Sequence, residues 1–321
     1  MPSSCREGRQ DTLSAQPGKK CASRSNEMSE TPWTIRLLET AEEMTAVEDL
    51  QRIVWPGSET DITPAHLLVT VAHNGGVVLG AFVEDELVGF VFGFPGLEML
   101  PDGPQPKHCS HQLGVHPEWR NSGLGFALKR AQWQMVRKQG LTHITWTYDP
   151  LLSRNAYLNI AKLGAVCNTY LRSVYGAMRD GLNAGLPSDR FQVDWWVTSK
   201  RVERRLSRQS RRRLGLDHFL QADSQVLYRT ERTPGGLLRP PERFAPLEGR
   251  IALVEIPSDF LSLKEADFAL ARDWRFFSRE VFETAFEKGY LVTDFVFERS
   301  EEGGRSFYVL THGESTLGDA E

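Results

Sequence analysis

Two glycines and an arginine stand where a helix has to start. The stretch "HPEWRNSGLGFALKRAQWQ" begins at residue 116 and places Arg120, Gly123 and Gly125 just ahead of an apolar helical pattern. A helix amino terminus presents unpaired backbone N–H groups and a partial positive charge, so it is a ready anion site. Glycines leave those amides open, and arginine adds a permanent charge. The spacing predicts a phosphate-binding turn, with an ordinary tight turn as the alternative.

Two common nucleotide-binding motifs do not fit this stretch. It lacks the G-K-[ST] of a P-loop, which would hold Mg²⁺ and a γ-phosphate. The third glycine position of a Rossmann turn holds Leu128, and the seven residues from His116 to Ser122 separate strand from glycines.

The wider pattern L-x-V-x-P-x-x-R-x-x-G-x-G, read in "LGVHPEWRNSGLG", resembles the GNAT superfamily of N-acetyltransferases, which take an acyl group from acyl-coenzyme A. The resemblance covers about half of the chain, from Thr34 to near Thr198. The run "PLLSRNAYLNIAKLGA" and a second lobe further resemble a bacterial subgroup of predicted acetyltransferases. Acetyl-CoA is the donor implied by default, with a larger acyl-CoA such as succinyl-CoA left open.

The resemblance implies a coenzyme A site on one strand and the turn after it. Backbone groups of the strand would pair with pantetheine, and the residues that match are Leu113, Gly114 and Val115. The pyrophosphate loop would be formed by Arg120, Asn121, Ser122, Gly123, Leu124 and Gly125, with Phe126 following it. An N–H near Val115 would stabilise the oxyanion of the tetrahedral intermediate.

The implied reaction is direct attack of a neutral amine on the thioester, which needs a base and in some enzymes an acid. Many family members carry a tyrosine four residues before the glycine that ends the late helix, but here Ile160 stands four before Gly164. Tyr157, one turn earlier, is the substitute candidate, with packing as the alternative.

His111 is the first candidate base, because alternation puts residues 109, 111, 113 and 115 on one face of the strand and imidazole titrates near neutral pH. Glu98, in the predicted loop before that strand, is the second. A hydrogen-bonded structural histidine, with a water chain as base, is the alternative. The nearby histidines and Cys109 predict no metal site, because strand neighbours point to opposite faces and no carboxylate completes a tetrahedron.

Further side chains are candidates for acceptor binding. In "LPSDRFQVDWW", Arg190 could hold a substrate carboxylate and Trp195 or Trp196 could line an acceptor pocket. Core packing is the alternative for at least one tryptophan.

The elements that position these residues read as α+β. The order β-α-β-β-β-α-β-α-β up to residue 198 predicts a GNAT-like, mixed and mostly antiparallel sheet flanked by helices. Residues 1–33 are predicted to be a disordered tail, and residues 199–249 a basic helix with a Pro-rich connector. Residues 250–321 predict a smaller β-α-β-β lobe, whose long helix is expected to open on a capping box of Ser262 and Glu265.

Composition limits the function classes. The 321 residues have a net charge of −4, 40% hydrophobic and 25% charged residues, which is typical of a globular protein. The basic run "SKRVERRLSRQSRRRLG" makes nucleic-acid binding a further hypothesis. The run lacks interleaved aromatic residues, so a solvated helix face is favoured and no nucleic-acid partner is predicted. No apolar stretch is long enough to cross a bilayer, so no membrane partner is predicted. The four cysteines are widely separated, which favours location in the reducing cytoplasm.

The sequence thus predicts an acyl-CoA-dependent N-acyltransferase acting on the amine of a small molecule, an amino acid among the candidates. A non-catalytic module that binds coenzyme A as a sensor or scaffold is the alternative, motivated by the missing tyrosine at position 160. A homodimer is left open.

Overall fold

A computed structural model describes residues 31–57, 59–178, 184–207, 213–300 and 303–313. The predicted tail before residue 31 and the middle of the arginine-rich run, residues 208–212, lie outside these ranges. The helices are α1 (Ala41–Val54), α2 (Ala65–His73), α3 (Leu124–Lys138), α4 (Ser153–Ala156), α5 (Lys200–Leu206), α6 (Leu216–Gln221), α7 (Phe260–Ala266) and α8 (Phe268–Glu287). The strands are β1 (Thr34–Leu37), β2 (Val77–Val83), β3 (Glu86–Leu100), β4 (Gly103–Val115), β5 (His143–Tyr148), β6 (Val166–Leu171), β7 (Arg190–Trp196), β8 (Gln225–Val226), β9 (Glu231–Arg232), β10 (Leu238–Arg239), β11 (Ile251–Ile256), β12 (Leu291–Ser300) and β13 (Gly303–Thr311).

One sheet of 11 strands runs through the molecule in the order β1-β2-β3-β4-β5-β7-β6-β12-β13-β11-β8. In the described part of the chain its pairs are antiparallel except β4 with β5 and β8 with β11. Helices cover both faces, which confirms the predicted α+β class with a mostly antiparallel sheet. The β-α-β-β elements of the carboxyl-terminal lobe are present, and β12 pairs with β6, so the lobe's strands extend the same sheet.

The core lies on both faces of this sheet. α1 and α2 pack on one face around Met44, Leu68 and Phe90. α3 and α8 contribute to a larger cluster that includes Leu128 and Trp274. Residues from Trp33 onward form one compact unit, and the proposed boundaries near residues 198 and 249 stay predictions.

The segment predicted as a loop between residues 95 and 107 is a hairpin. β3 continues to Leu100 and β4 begins at Gly103, with pairing throughout. Pro104 and Pro106 are tolerated in the described hairpin because this part of β4 lies beyond the two β5 pairs and forms a sheet edge. α2 was also not predicted, because its apolar run is short and lacks a capping side chain.

The carboxyl-terminal helix is two helices, and its predicted capping box is wrong. Asp259 caps α7 by accepting a hydrogen bond from the Ser262 amide, and Asp267 caps α8 by accepting from the Leu270 amide. Ser262 therefore lies inside α7 and not at its start. None of the described helices is long and apolar enough to cross a membrane.

Candidate active site

A tight turn with two residues of positive φ precedes α3. Gly123 is the N-cap of α3 with φ of 96°, and Asn121 also has a positive φ of 65°. A Cβ added to Gly123 would meet no heavy atom within 4 Å, so the space beside the turn is open. The hydroxyl of Ser122 donates to the Trp119 carbonyl (2.7 Å) and accepts from the Leu124 amide (3.3 Å). The turn thus presents the first amides of α3 to an open surface.

Arg120 and Gly125 flank this turn. Arg120 is exposed, and its Nη2 lies 3.5 Å from the Val54 carbonyl oxygen, the long limit of a hydrogen bond. Its charge therefore stays available near the turn. A Cβ on Gly125 would lie 3.5 Å from Leu113 and 3.9 Å from Leu158, so the glycine faces β4 and the helix that follows α4.

β4 parts from β5 beside this turn. The two parallel strands pair at His108 with Ile144 and at Cys109 with Thr145, and β4 then continues to Val115 without further pairing to β5. The edge of β4 from Ser110 to Val115 therefore offers backbone N–H and C=O groups to a ligand, as an open strand edge does.

A β-bulge lies at the start of that edge. Phe92 pairs with Gln112 and Gly93 with Ser110, so His111 is the extra residue. The ring of His111 contacts Phe92, on the α1 face, whereas Leu113 and Val115 pack with the α3 face. The predicted common face of residues 109, 111, 113 and 115 is therefore wrong, because a bulge resets the alternation.

His111 opens into a cavity of about 490 Å³ at the divergence of β4 and β5. Residues of the first half of the chain line one side: Trp55, Asp61, His111, Gln112, Thr147, Tyr148, Asp149, Leu152 and Asn155. The β6–β7 connection, β7, α7 and α8 line the other: Tyr175, Ala177, Met178, Leu186, Pro187, Ser188, Arg190, Phe260, Leu261, Lys264 and Arg275. The volume suits a small molecule.

Desolvation by the surrounding residues lowers the pKa of His111 below its ordinary value of 6.5, although the residue as a whole is exposed. The rings of Phe92 and Phe94 lie next to the imidazole of His111, with centroid distances of 5.2 and 6.1 Å, and exclude water from that side of it. A neutral imidazole at pH 7 is the form that accepts a proton.

The other two predicted catalytic residues do not line the cavity. Glu98 lies in β3, with Oε2 3.1 Å from Nδ1 of His143. The hydroxyl of Tyr157, at the start of a π-helical turn that continues α4, accepts a hydrogen bond of 2.5 Å from Nη1 of Arg213. The structure therefore brings neither side chain to His111.

Arg190 and Trp195, both predicted for acceptor binding, lie in different places. Arg190, at the start of β7, lines the cavity and is 7% exposed. Trp195 is fully buried, and its indole N–H donates to the Leu163 carbonyl at 2.9 Å. Trp195 packs against Trp146 in the core and is not part of the cavity wall.

A buried ion pair forms the floor of the cavity. The guanidinium of Arg275, from α8, donates through both Nη atoms to the carboxylate of Asp149, which follows β5. Arg190 approaches the same carboxylate, with Nη1 3.7 Å from Oδ2. Burial alone would raise the pKa of Asp149, but Arg275 and Arg190 lower it, and the net shift is downward. We call Asp149, Arg190 and Arg275 the cavity floor.

Sequence reasoning missed two residues of the cavity floor. The apolar pattern of α8 predicts a core face formed by residues such as Leu270 and Trp274. Arg275 is buried beside them, where an arginine is unusual, and this was the signal in the sequence. Asp149 closes "TWTYDP", where a polar residue ends an apolar strand.

Comparison with known proteins identifies one family. Residues 42–159 match the acetyltransferase (GNAT) family, and no curated protein matches the chain. Similar solved structures include the ribosomal-protein-S18-alanine N-acetyltransferase from Escherichia coli, with 15% identity, a TM-score of 0.39 and coverage of 51% of this chain and 94% of that one. Arabidopsis thaliana NAA60 in complex with acetyl-CoA has 15% identity, a TM-score of 0.42 and coverage of 51% and 99%.

The chain therefore carries an acetyltransferase domain of the GNAT family over residues 42–159. A domain of this family implies acetyl-CoA-dependent acetylation. The matched range ends before β6, so Arg190, Phe260, Leu261 and Arg275 of the cavity wall lie outside it.

Proposed function

We propose that the protein transfers the acyl group of an acyl-CoA, acetyl-CoA by default, to the amine of a small molecule, with amino acids among the acceptors. One observation carries the proposal: the open edge of β4 joins the α3 turn to the cavity. His111 stands at the cavity end of that edge and Val115 just before the turn. At the usual rise of a strand, four residues span about 13 Å.

The residues present fit an acyl-CoA. The open amides at Gly123, with Arg120 beside them, are suited to a pyrophosphate, and the strand edge offers backbone partners to an extended pantetheine amide chain. In this assignment the thioester lies near the bulge, where β4 and β5 diverge.

His111 is the proposed base. It takes a proton from the acceptor's ammonium group, directly or through a water, so that the lone pair of the resulting neutral amine can form the new C–N bond. A backbone N–H of β4 stabilises the oxyanion that forms, and collapse of the tetrahedral intermediate breaks the C–S bond. Coenzyme A leaves as a thiolate and takes up the proton that the new amide nitrogen loses, so it is released as the free thiol. Tyr157 and Glu98 take no step here, because neither lines the cavity.

The first experiment is a calorimetric titration with coenzyme A. Gly123→Glu places a carboxylate on the amides of the turn, and we expect at least a tenfold loss of affinity, about 1.4 kcal/mol. Gly103→Glu is the matched control, because Gly103 also has a positive φ, of 114°, and open space, but lies at the tip of the β3–β4 hairpin. No heat with wild type at millimolar ligand, or equal affinity in both variants, contradicts the donor assignment.

The second experiment follows thiol release from acetyl-CoA and succinyl-CoA with a panel of amines and amino acids. Turnover with any amine supports the transferase and excludes a module that only binds coenzyme A. Binding of coenzyme A without turnover across the panel would favour that module.

A further inference from the structure

Four residues of the carboxyl-terminal lobe line the cavity. Phe260, Leu261 and Lys264 come from α7 and Arg275 from α8, all beyond residue 159, where the family match ends. Such a contribution gives the lobe a place in acceptor recognition, provided that its helices are held firmly against the domain.

Ion pairs hold α8 in place next to the cavity. Arg279 donates to the carboxylate of Asp189 through Nε (2.8 Å) and Nη2 (3.0 Å), and the hydroxyl of Tyr170 donates to the same group at 2.8 Å. Asp189 directly precedes Arg190, so this pair fixes the start of β7 to α8. The bidentate pair of Arg275 with Asp149 adds a second connection from α8 to β5.

One N–H donor of the Arg275 guanidinium is not used by the described residues. It is 1% exposed, both Nη atoms are bonded to Asp149, and its buried Nε has no hydrogen-bond partner in the described part of the chain. A buried N–H without a partner is energetically unfavourable, so an oxygen supplied by a ligand is a favourable partner for it. Because Arg275 lines the cavity, a bound acceptor is the natural source of that oxygen.

The cavity combines cationic and apolar surfaces. Among its described lining residues, Arg190, Lys264 and Arg275 are cationic, and Asp61 and Asp149 are acidic. Guanidinium groups bind carboxylates in a fixed, often bidentate geometry.

The apolar surface comes from both sides of the cavity. Trp55 and Leu152 line it from the family domain, and Leu186, Phe260 and Leu261 from beyond it. A ligand that matches such walls has an anionic end and an apolar body.

We infer that the acceptor is an amino acid with an apolar side chain, whose carboxylate binds at Arg190 and the Nε of Arg275 and whose side chain contacts Leu261 and Phe260 of the carboxyl-terminal lobe. This inference rests on the proposed acyl transfer. It makes the lobe a specificity determinant of the acetyltransferase domain.

The test compares acceptors that differ only in the carboxylate. Phenylalanine, 2-phenylethylamine and phenylalaninamide share one side chain and an amine. The two analogues without a carboxylate bracket phenylalanine in amine basicity. We expect kcat/KM with acetyl-CoA to be at least tenfold higher for phenylalanine than for either analogue. Equal or higher values for both analogues overturn the inference while leaving the acyl transfer intact.

A substitution in α7 tests the role of the lobe. Leu261→Trp should fill part of the cavity and raise the KM for phenylalanine at least tenfold while the KM for acetyl-CoA stays unchanged. Glu265→Trp is the control, because Glu265 is exposed on the same helix and does not line the cavity. Equal behaviour of the two variants removes the lobe from the acceptor site.

Two measurements keep the inference testable if the first ones fail. Leu261→Ala enlarges the cavity without crowding it, so it should shift the preference from leucine toward tryptophan, and an unchanged ranking contradicts the inference. If no amine is turned over, the proposed function fails. The carboxylate site can then still be tested by titrating phenylalanine and 2-phenylethylamine into protein loaded with coenzyme A. Tighter binding of phenylalanine supports the carboxylate site, and equal binding overturns it.

Discussion

Two of the buried polar clusters in the described part of the chain have opposite properties. One is the cavity floor. The other, called here the sealed cluster, comprises His108, Ser110, Lys129 and Gln132, between β4 and α3. In it the Nζ of Lys129 donates to the Ser110 hydroxyl and the Gln132 amide oxygen, both at 3.0 Å, and lies 3.7 Å from the ring centre of Trp146.

Burial and shifted pKa values do not distinguish the two clusters. Burial lowers the pKa of Lys129 well below its ordinary value, and it lowers the pKa of His108 to about 3. The residues of the cavity floor are as buried, and each cluster has a buried nitrogen without a partner among the described residues, Arg275 Nε in one and His108 Nδ1 in the other, but the cavity floor lines the cavity and the sealed cluster does not. Access to a ligand, and not perturbation alone, marks the candidate site.

The largest effect is expected in the cavity floor. Asp149→Ala leaves the Arg275 guanidinium buried without its carboxylate, so we expect a loss of about 3 to 5 kcal/mol in the free energy of unfolding. Urea unfolding followed by circular dichroism measures it. Asp61→Ala is the control, an exposed aspartate on the same cavity, where a change within about 0.5 kcal/mol is expected. A loss under about 1 kcal/mol for Asp149→Ala would mean that the pair does not hold the floor together.

The second effect concerns His111. His111→Gln should lower kcat/KM about 100-fold with the KM for acetyl-CoA unchanged, since general-base catalysis contributes about 10²-fold or more. Because the pKa of His111 is lowered from 6.5, the rising limb of the pH profile of the wild type should lie below pH 6.5 and be absent in the variant. His73→Gln, at the end of α2, is the control. Equal pH profiles for wild type and His111→Gln would exclude His111 as the base.

Local chemistry predicted the parts of the site that are local. The positive φ of Gly123 follows from the turn that the chain must make before α3, and the order of strands and helices follows from apolar periodicity. The bulge at His111 was not predictable, because it is a property of the pairing with β3 and not of β4 alone.

The rest of the site depends on contacts between distant segments. Arg275 and Asp149 are 126 positions apart, and only the packing of α8 brings them together. The caps of α7 and α8 show the same limit locally: Ser262 and Glu265 have capping-box spacing, but Asp259 and Asp267 occupy the cap positions.

The third effect is the acid sensitivity of the sealed cluster. His108 has a pKa of about 3 in the folded state and about 6.5 when unfolded, so the unfolded chain binds more protons between these values. Stability is therefore lost as pH falls from 6.5 toward 3, by up to about 1.4 kcal/mol per pH unit. His108→Gln should remove this part of the slope when urea unfolding is compared from pH 7 to pH 4. Parallel slopes in the two proteins would show that His108 does not resist protonation.

The smallest effect is expected for Lys129→Met. Methionine keeps the shape of the side chain, and its sulfur can contact Trp146, while the hydrogen bond of 2.9 Å from Ser110 to Gln132 persists, so stability at pH 7 should change by less than about 1 kcal/mol. The folded pKa of Lys129 lies below 10.5, so wild-type stability should rise with pH toward 10.5 and the variant should lack this contribution. Lys129 does not line the cavity, and the thiol-release activity should be unchanged. A tenfold fall in kcat/KM with the fold intact would connect the sealed cluster to the reaction, and the distinction between the two clusters would then fail.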